Sequence, residues 1–218
     1  MSYSIGWVTK SKSGKNLENK MISHKYKFIF VRTPKTASTS VLDVLESYEL
    51  ERLPIQNVQE PLFNFEGKKY DCNHPPIQVI KKSTTKNIFN DYFKFSFVRN
   101  PWDRCVSAWR YNIKKKFTPR GAPFVEFVRG LESEEIGNYK YLNQYDFVKG
   151  CDFIGRFENL QEDFDTICDK VGISRQKLSH ENKTRHANYV ELYNDEAREI
   201  IAEKCKKDIE YFGYEYGE

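Results

Sequence analysis

Eight consecutive residues, Thr33-Pro34-Lys35-Thr36-Ala37-Ser38-Thr39-Ser40, bring one lysine together with five hydroxyl side chains. A full positive charge surrounded by O–H donors suits an anion such as a phosphate or a sulfate. Arg99 and Ser107, separated by eight positions, form a second set of the same kind. A guanidinium pairs with phosphate oxygens through charge-assisted, often bidentate hydrogen bonds. One ligand bearing two separated anionic groups would satisfy both sets.

The elements around these residues are those that would aim them at a common ligand. Phe28 to Val31 is a short apolar run of β-forming residues, as in a strand covered on both faces of a parallel sheet. Pro34 ends it, and Ala37 to Glu49 reads as helix. The first N–H groups of such a helix lack partners, and its dipole turns its positive end toward the hydroxyl cluster. Lys94 to Arg99 is a second strand-like run. Asn100-Pro101 stops it and opens a helix to Lys115, with proline suited to the first helical position. Ligands of open α/β sheets bind outside the carboxyl ends of the strands, so both junctions should face one crevice. The ordinary alternative makes Ser38 or Thr39 a plain helix cap and leaves Lys35 solvated.

These segments resemble the sulfotransferases that use 3′-phosphoadenosine 5′-phosphosulfate (PAPS), particularly the branch acting on carbohydrates. Residues 33–40 are similar to that family's 5′-phosphosulfate loop, above all to the loop of heparan sulfate 2-O-sulfotransferase. Arg99-Asn100-Pro101-Trp102-Asp103-Arg104-Cys105-Val106-Ser107 is similar to its 3′-phosphate motif. Weaker similarity continues at Phe153 to Leu160 and Asp208 to Tyr214. The resemblance implies an α/β, P-loop-NTPase-like three-layer fold with a central parallel sheet flanked by helices. It implies that Lys35, Thr36, Ala37, Ser38, Thr39 and Ser40 hold the sulfuryl end of PAPS, with Arg99 and Ser107 on the 3′-phosphate. A loop of the carboxyl-terminal region closes over the cofactor in this family, which makes Lys183 and Arg185 further candidate contacts, although Asn182 to His186 also reads as an ordinary solvated loop.

Sulfuryl transfer needs a base for the acceptor hydroxyl and stabilisation of the leaving oxygen. Histidine is the economical base near pH 7. Of His24, His74, His180 and His186, only His74 follows a possible strand, Tyr70-Asp71-Cys72, at a third junction between the two motifs. Its alternative role is to cap the helix starting at Pro75, in which case Asp71 or Glu66 is the next candidate base. Lys35 would act as the electrophilic clamp, and the scheme requires no metal. Arg156 and Glu158 read as a structural ion pair, and Trp102 as core rather than an adenine platform. Two other classes remain open. A P-loop phosphotransferase would use the same anion-cradling physics, but the loop lacks its glycines. A non-catalytic nucleotide- or glycan-binding module would keep the cleft without the base.

The 218 residues are enough for one domain with a sizeable core, and 15% aromatic content argues against disorder. Residues 1–23 read as a polar arm and 24–218 as a single domain, within which Leu53 to Lys69 is a long connection and Asn194 to Phe212 one long helix. Thirty-five basic against 31 acidic residues is too mild an excess for a dedicated nucleic-acid binder. The basic cluster Arg110, Lys114, Lys115, Lys116 and Arg120 could attract an anionic glycan or be a solvated face. No window approaches the roughly 20 apolar residues that span a bilayer, so the reading is a soluble, cytoplasmic protein acting on an oligo- or polysaccharide hydroxyl. The animal carbohydrate enzymes are usually Golgi membrane proteins, which leaves a microbial or viral relative, or a trimmed lumenal domain. Five widely spaced cysteines argue against zinc or a disulfide framework and for buried free thiols.

Overall fold

The computed structural model describes residues 20–53, 62–65, 68–71, 73–131, 143–179 and 188–218. Strands Lys20–Ser23 (β1) and Phe28–Phe30 (β2) pair antiparallel, Ile22 opposite Ile29. Helix Ser38–Leu45 (α1) runs into a 3-10 turn, Glu46–Tyr48, and Leu50–Arg52 (β3) returns beside β1. Leu62–Phe65 (β4) and Lys68–Asp71 (β5) form a separate antiparallel pair. Then follow Ile77–Ser83 (α2), Lys86–Asp91 (α3), Phe93–Val98 (β6), Pro101–Lys114 (α4), Phe124–Gly130 (α5), Gln144–Val148 (α6), Phe153–Arg156 (β7), Leu160–Val171 (α7), Asp195–Lys204 (α8) and Lys206–Phe212 (α9).

The central sheet has the order β3-β1-β2-β6-β7. Strands β2, β6 and β7 are parallel as expected, but β1 runs antiparallel to both its neighbours, so the sheet is mixed rather than parallel. The cause is local. Only residues 24–27 separate β1 from β2, and a connection that short can join only antiparallel strands. Of the expected polar arm, Lys20–Ser23 is strand β1, with Met21 and Ile22 buried in the core, and residues 1–19 lie outside the described residues.

Strand alternation sends Phe28, Phe30, Phe95 and Phe97 to one face, where α1 and α7 cover them with Val41, Leu42, Leu45, Phe164 and Ile167. Ile29 and Val31 point to the other face, against Ile77 and Ile80 of α2. Val98 meets Phe147 and Val148 of α6 there. Each such side chain contributes about 1.5–3 kcal/mol on burial. Helices thus flank the sheet on both faces. Gly155 in β7 has a steric reason: a Cβ there would fall 2.6 Å from the Phe97 ring. The single helix expected over 194–212 breaks at Cys205, because the Asn143 carboxamide inserts: its Nδ2 donates to the Lys204 carbonyl at 3.1 Å and its Oδ1 accepts from the Asp208 N–H at 3.3 Å. Among the described residues no helix is long and apolar enough to cross a membrane.

Candidate functional site

Neighbouring parallel strands β2 and β6 deliver the two cation-and-hydroxyl sets to the same edge of the sheet. Past β2, the N–H of Val31 still bonds the Phe95 carbonyl at 2.8 Å, and the chain then leaves the ladder at Arg32. Ser96 of β6 gives its only hydroxyl hydrogen to the Val31 carbonyl at 2.6 Å, so Thr33 is the donor in the 2.9 Å Thr33–Ser96 bond. Thr36 in turn donates to the Thr33 carbonyl at 3.0 Å. These buried hydroxyls close the loop on itself. The Thr36 hydroxyl, expected to face an anion, is committed to this turn.

The turn they enforce is tight enough to place Lys35 and Ala37 in the left-handed region, at φ 67° and 61°. Glycine is the usual occupant of such positions, and a side chain there costs of order 1–3 kcal/mol. Ala37 precedes α1 and has no side-chain oxygen to cap it. The first-turn N–H groups of Ser38, Thr39 and Ser40 therefore receive no capping oxygen from Ala37. Lys35, Ala37 and Thr39 are partly exposed, while Ser38 and Ser40 are buried.

At the end of β6, Asn100 caps α4 by accepting from the Trp102 N–H at 3.1 Å. Glu158 accepts from the Asn100 N–H at 2.7 Å and from the Tyr214 hydroxyl at 3.2 Å. The two weaker motif segments thus brace the turn that carries Arg99. Arg156 bonds the Phe212 carbonyl rather than pairing with Glu158. Arg99 is largely buried. Its Nε and Nη2 both reach Asp103 Oδ2 at 2.7 Å, its Nη1 reaches the Lys35 carbonyl at 3.4 Å, and its guanidinium lies 3.8 Å from the centre of the Phe157 ring. Hydrogen bonds from Nε and Nη1 and an ion pair through Nη2 thus hold the guanidinium in place. Ser107 stands one helical turn beyond Asp103, partly exposed. Trp102 is core, its Nε1 bonded to the Arg198 carbonyl at 3.1 Å.

His74 joins this group from the third junction, between β5 and α2. Its Nδ1 lies 2.9 Å from the Arg32 carbonyl. A carbonyl only accepts, so Nδ1 carries the hydrogen and the neutral ring has its lone pair on Nε2. The bond runs to the strand end beside the Lys35 loop rather than to the helix that His74 might have capped. Lys183, Arg185, Cys72 and Glu66 lie outside the described residues, as does the side chain of Asp71. The basic residues Lys114, Lys115, Lys116 and Arg120 are exposed at the carboxyl end of α4, where cations also complement the helix dipole. Cys105, Cys151, Cys168 and Cys205 are free thiols.

Four neighbours of these residues escaped the sequence reading: Asp103 and Phe157 against the Arg99 guanidinium, Gln144 on the Arg99 backbone, and Tyr111, whose ring centre lies 4.0 Å from the Lys35 ammonium. Asp103 could have been found from its i,i+4 spacing to Arg99. The others meet the site only through tertiary contacts.

A family model described as "Sulfotransferase family" matches residues 18–215, which include all three junctions. An uncharacterised protein of Archaeoglobus fulgidus is 32% identical over 52% of this chain and 96% of its own length. Carbohydrate sulfotransferase 14 of Danio rerio is 24% identical over 77% of this chain, which spans about half of that protein, 52%. Carbohydrate sulfotransferase 10 of Gallus gallus is 23% identical over 91% of this chain and 67% of its own length. The two loops that carry cations and hydroxyls, the histidine between them and the braces beneath them all fall inside the matched span, and the chain belongs to the sulfotransferase family.

Proposed function

We propose that the chain moves a sulfuryl group from PAPS to an acceptor hydroxyl on a carbohydrate, within a P-loop-like α/β fold. The observation that carries this reading is the contact between the two junctions, Arg99 Nη1 donating to the Lys35 carbonyl at 3.4 Å, which supports one ligand shared by both sets of cations and hydroxyls. The residues fit the group. The left-handed backbone at Lys35 and Ala37 supports an anion-binding turn, and the Arg99 guanidinium, held by Asp103, supplies the second cation.

Lys35, Thr36, Ala37, Ser38, Thr39 and Ser40 would hold the 5′-phosphosulfate, Thr36 through its backbone N–H rather than its hydroxyl. Arg99 and Ser107 would hold the 3′-phosphate, with Lys183 and Arg185 as candidates for a closing contact. Bound there, PAPS supplies an activated sulfuryl group whose leaving group is adenosine 3′,5′-bisphosphate. His74 takes the proton of the acceptor hydroxyl on Nε2, oriented by its Nδ1–H bond to Arg32. Lys35 directs its ammonium to the oxygen on which negative charge grows. The carbohydrate acceptor is supported by the relatives named carbohydrate sulfotransferases. Buried free thiols support a reducing compartment such as the cytoplasm.

Calorimetric titration of the purified chain with adenosine 3′,5′-bisphosphate, with ATP plus magnesium, and with adenosine 5′-phosphate tests the cofactor. A clear preference for the bisphosphate is expected. Preference for ATP with magnesium would overturn the reading in favour of phosphoryl transfer, and tight bisphosphate binding without transfer to any of a panel of glycans would favour a binding module.

A further inference from the structure

The sequence groups Arg110 with Lys114, Lys115, Lys116 and Arg120 as one basic cluster, and the structure separates it from them. The other four are exposed at or beyond the last residue of α4, whereas Arg110 lies within the helix and is partly buried. Its position sets it on the face that carries Asp103 and Ser107. Steps of four and then three residues keep Asp103, Ser107 and Arg110 within about 60° of one another around the axis, at 3.6 residues per turn.

Both ends of this stretch of α4 meet a cation already described. At its start, Asp103 Oδ2 lies 2.7 Å from Nε and from Nη2 of Arg99. In the third turn, the ring centre of Tyr111, next to Arg110 in the chain, lies 4.0 Å from the Lys35 ammonium. The helix from Asp103 to Tyr111 therefore runs alongside both loops, from Arg99 to Lys35, and Arg110 belongs to that stretch.

Arg110 also shares its electrostatic surroundings with Arg99. Burial holds its guanidinium below the ordinary arginine range; the Asp103 carboxylate opposes that shift and the Arg99 guanidinium adds to it. Arginine keeps its proton in a protein, so both guanidiniums are charged. Two like charges around one carboxylate leave a net positive charge and a repulsion between the arginines. A phosphate monoester carries close to two negative charges at neutral pH and offers three strong acceptor oxygens. It would balance this cluster, and a free hydroxyl in its place would not.

We propose that Arg110 is a specificity-determining residue, a second guanidinium that binds the 3′-phosphate together with Arg99 and Ser107. The inference rests on the reading that gives Arg99 and Ser107 to that phosphate. Removing the 3′-phosphate from the ligand should then cancel what Arg110 contributes, which separates this role from general support of the helix.

Calorimetry compares the parent with Arg110→Gln and with Lys114→Gln, which removes the same charge from the exposed end of the same helix. The probes are adenosine 3′,5′-bisphosphate and adenosine 5′-phosphate. For Arg110→Gln the bisphosphate should bind about tenfold more weakly, with the 5′-phosphate within about twofold of the parent. Lys114→Gln should bind both probes as the parent does. Thermal midpoints establish that the variants fold, and Arg110→Met serves if Arg110→Gln does not. A second arm needs no nucleotide: phenylglyoxal modifies the arginines of the parent chain, and peptide mass spectrometry follows each with and without inorganic phosphate. Phosphate should slow the modification of Arg99 and Arg110 together. Equal losses for the two nucleotides, an equal loss in Lys114→Gln, or phosphate that leaves Arg110 unprotected would overturn the proposal. A parent that binds neither nucleotide, while phosphate protects both arginines, would remove the PAPS reading and leave Arg99 and Arg110 standing as a shared phosphate site.

Discussion

The Gln144 carboxamide closes on the backbone of Arg99 from both sides: its Oε1 accepts from the Arg99 N–H and its Nε2 donates to the Arg99 carbonyl, each at 2.8 Å. The carboxamide is itself fixed. Its Nε2 also donates to Asp208 Oδ2 at 3.0 Å, and the same carboxylate accepts from the N–H groups of Gln144 and Tyr145, each at 2.8 Å. Asp208 is fully buried and stands 3.9 Å from the Arg104 guanidinium. A carboxylate from α9 thus caps α6, and α6 in turn supplies the clamp on the residue that ends β6.

Gln144→Ala would strip the Arg99 peptide of both partners at a buried position. The cost of leaving such groups unsatisfied is about 1–3 kcal/mol each. We expect a clear fall in the urea midpoint, with weaker binding of adenosine 3′,5′-bisphosphate measured on the fraction that remains folded. A variant as stable as the parent would show that the clamp contributes nothing net.

Arg99→Ala should weaken the bisphosphate by about 1.5–3 kcal/mol, or roughly ten- to a hundredfold, through loss of a charge-assisted phosphate contact. Arg99→Lys should recover little of it. An ammonium offers neither the fork that reaches Asp103 and a phosphate together nor the flat face that lies on Phe157. Calorimetry on the three proteins decides, and unchanged affinity in Arg99→Ala would remove Arg99 from the site.

His74→Asn retains a side-chain N–H able to donate to the Arg32 carbonyl but has no basic nitrogen. Bisphosphate affinity should be preserved while kcat falls by about 10²–10⁴. The comparison with His74→Ala separates proton transfer from support of the loop. Turnover surviving in both variants would place the base elsewhere.

Burial pushes the Cys205 thiol up to about 11, and it pushes Cys105 in the same direction. An unfolded cysteine titrates near 8.5. Below that pH both states hold the proton, and the thiol's contribution to stability is complete. As pH rises toward 11, the unfolded chain releases the proton that the folded chain keeps, so stability falls. Thermal midpoints between pH 8 and 11 should decline, and Cys205→Ala should flatten part of that slope. An identical slope in the variant would assign the alkaline loss to other groups.

The junctions that carry the candidate residues were legible because they stand where one periodicity gives way to another. Phe28–Val31 stops at Pro34, β6 stops at Asn100-Pro101, and α4 begins and ends within one residue of the expectation. Short strands in polar surroundings were not legible. Lys20–Ser23 lies in a lysine-rich stretch, and β3 is three residues long with two of them exposed, so neither offers an apolar run to detect. The hairpin they create with β2 is what turns an expected parallel sheet into a mixed one. Supporting contacts were hidden for another reason: Gln144 lies 45 residues from Arg99 and 64 from Asp208, and Asn143 lies 61 from the carbonyl it captures at the α8–α9 break. No local pattern announces a partner at such distance.

Strands β2 and β6 pair in register, Phe30 opposite Phe95, and both loops that carry cations and hydroxyls depart from this one ladder. The spacing at which the two loops depart is therefore a backbone quantity, set by the hydrogen-bonded distance between two neighbouring strands, about 4.8 Å. The phenylalanines beneath determine how firmly the ladder is held, whereas its gauge belongs to the peptide groups. Their side chains can be exchanged for others of similar total volume without changing the spacing of the two loops. Robustness of the fold and calibre of the site can thus vary independently.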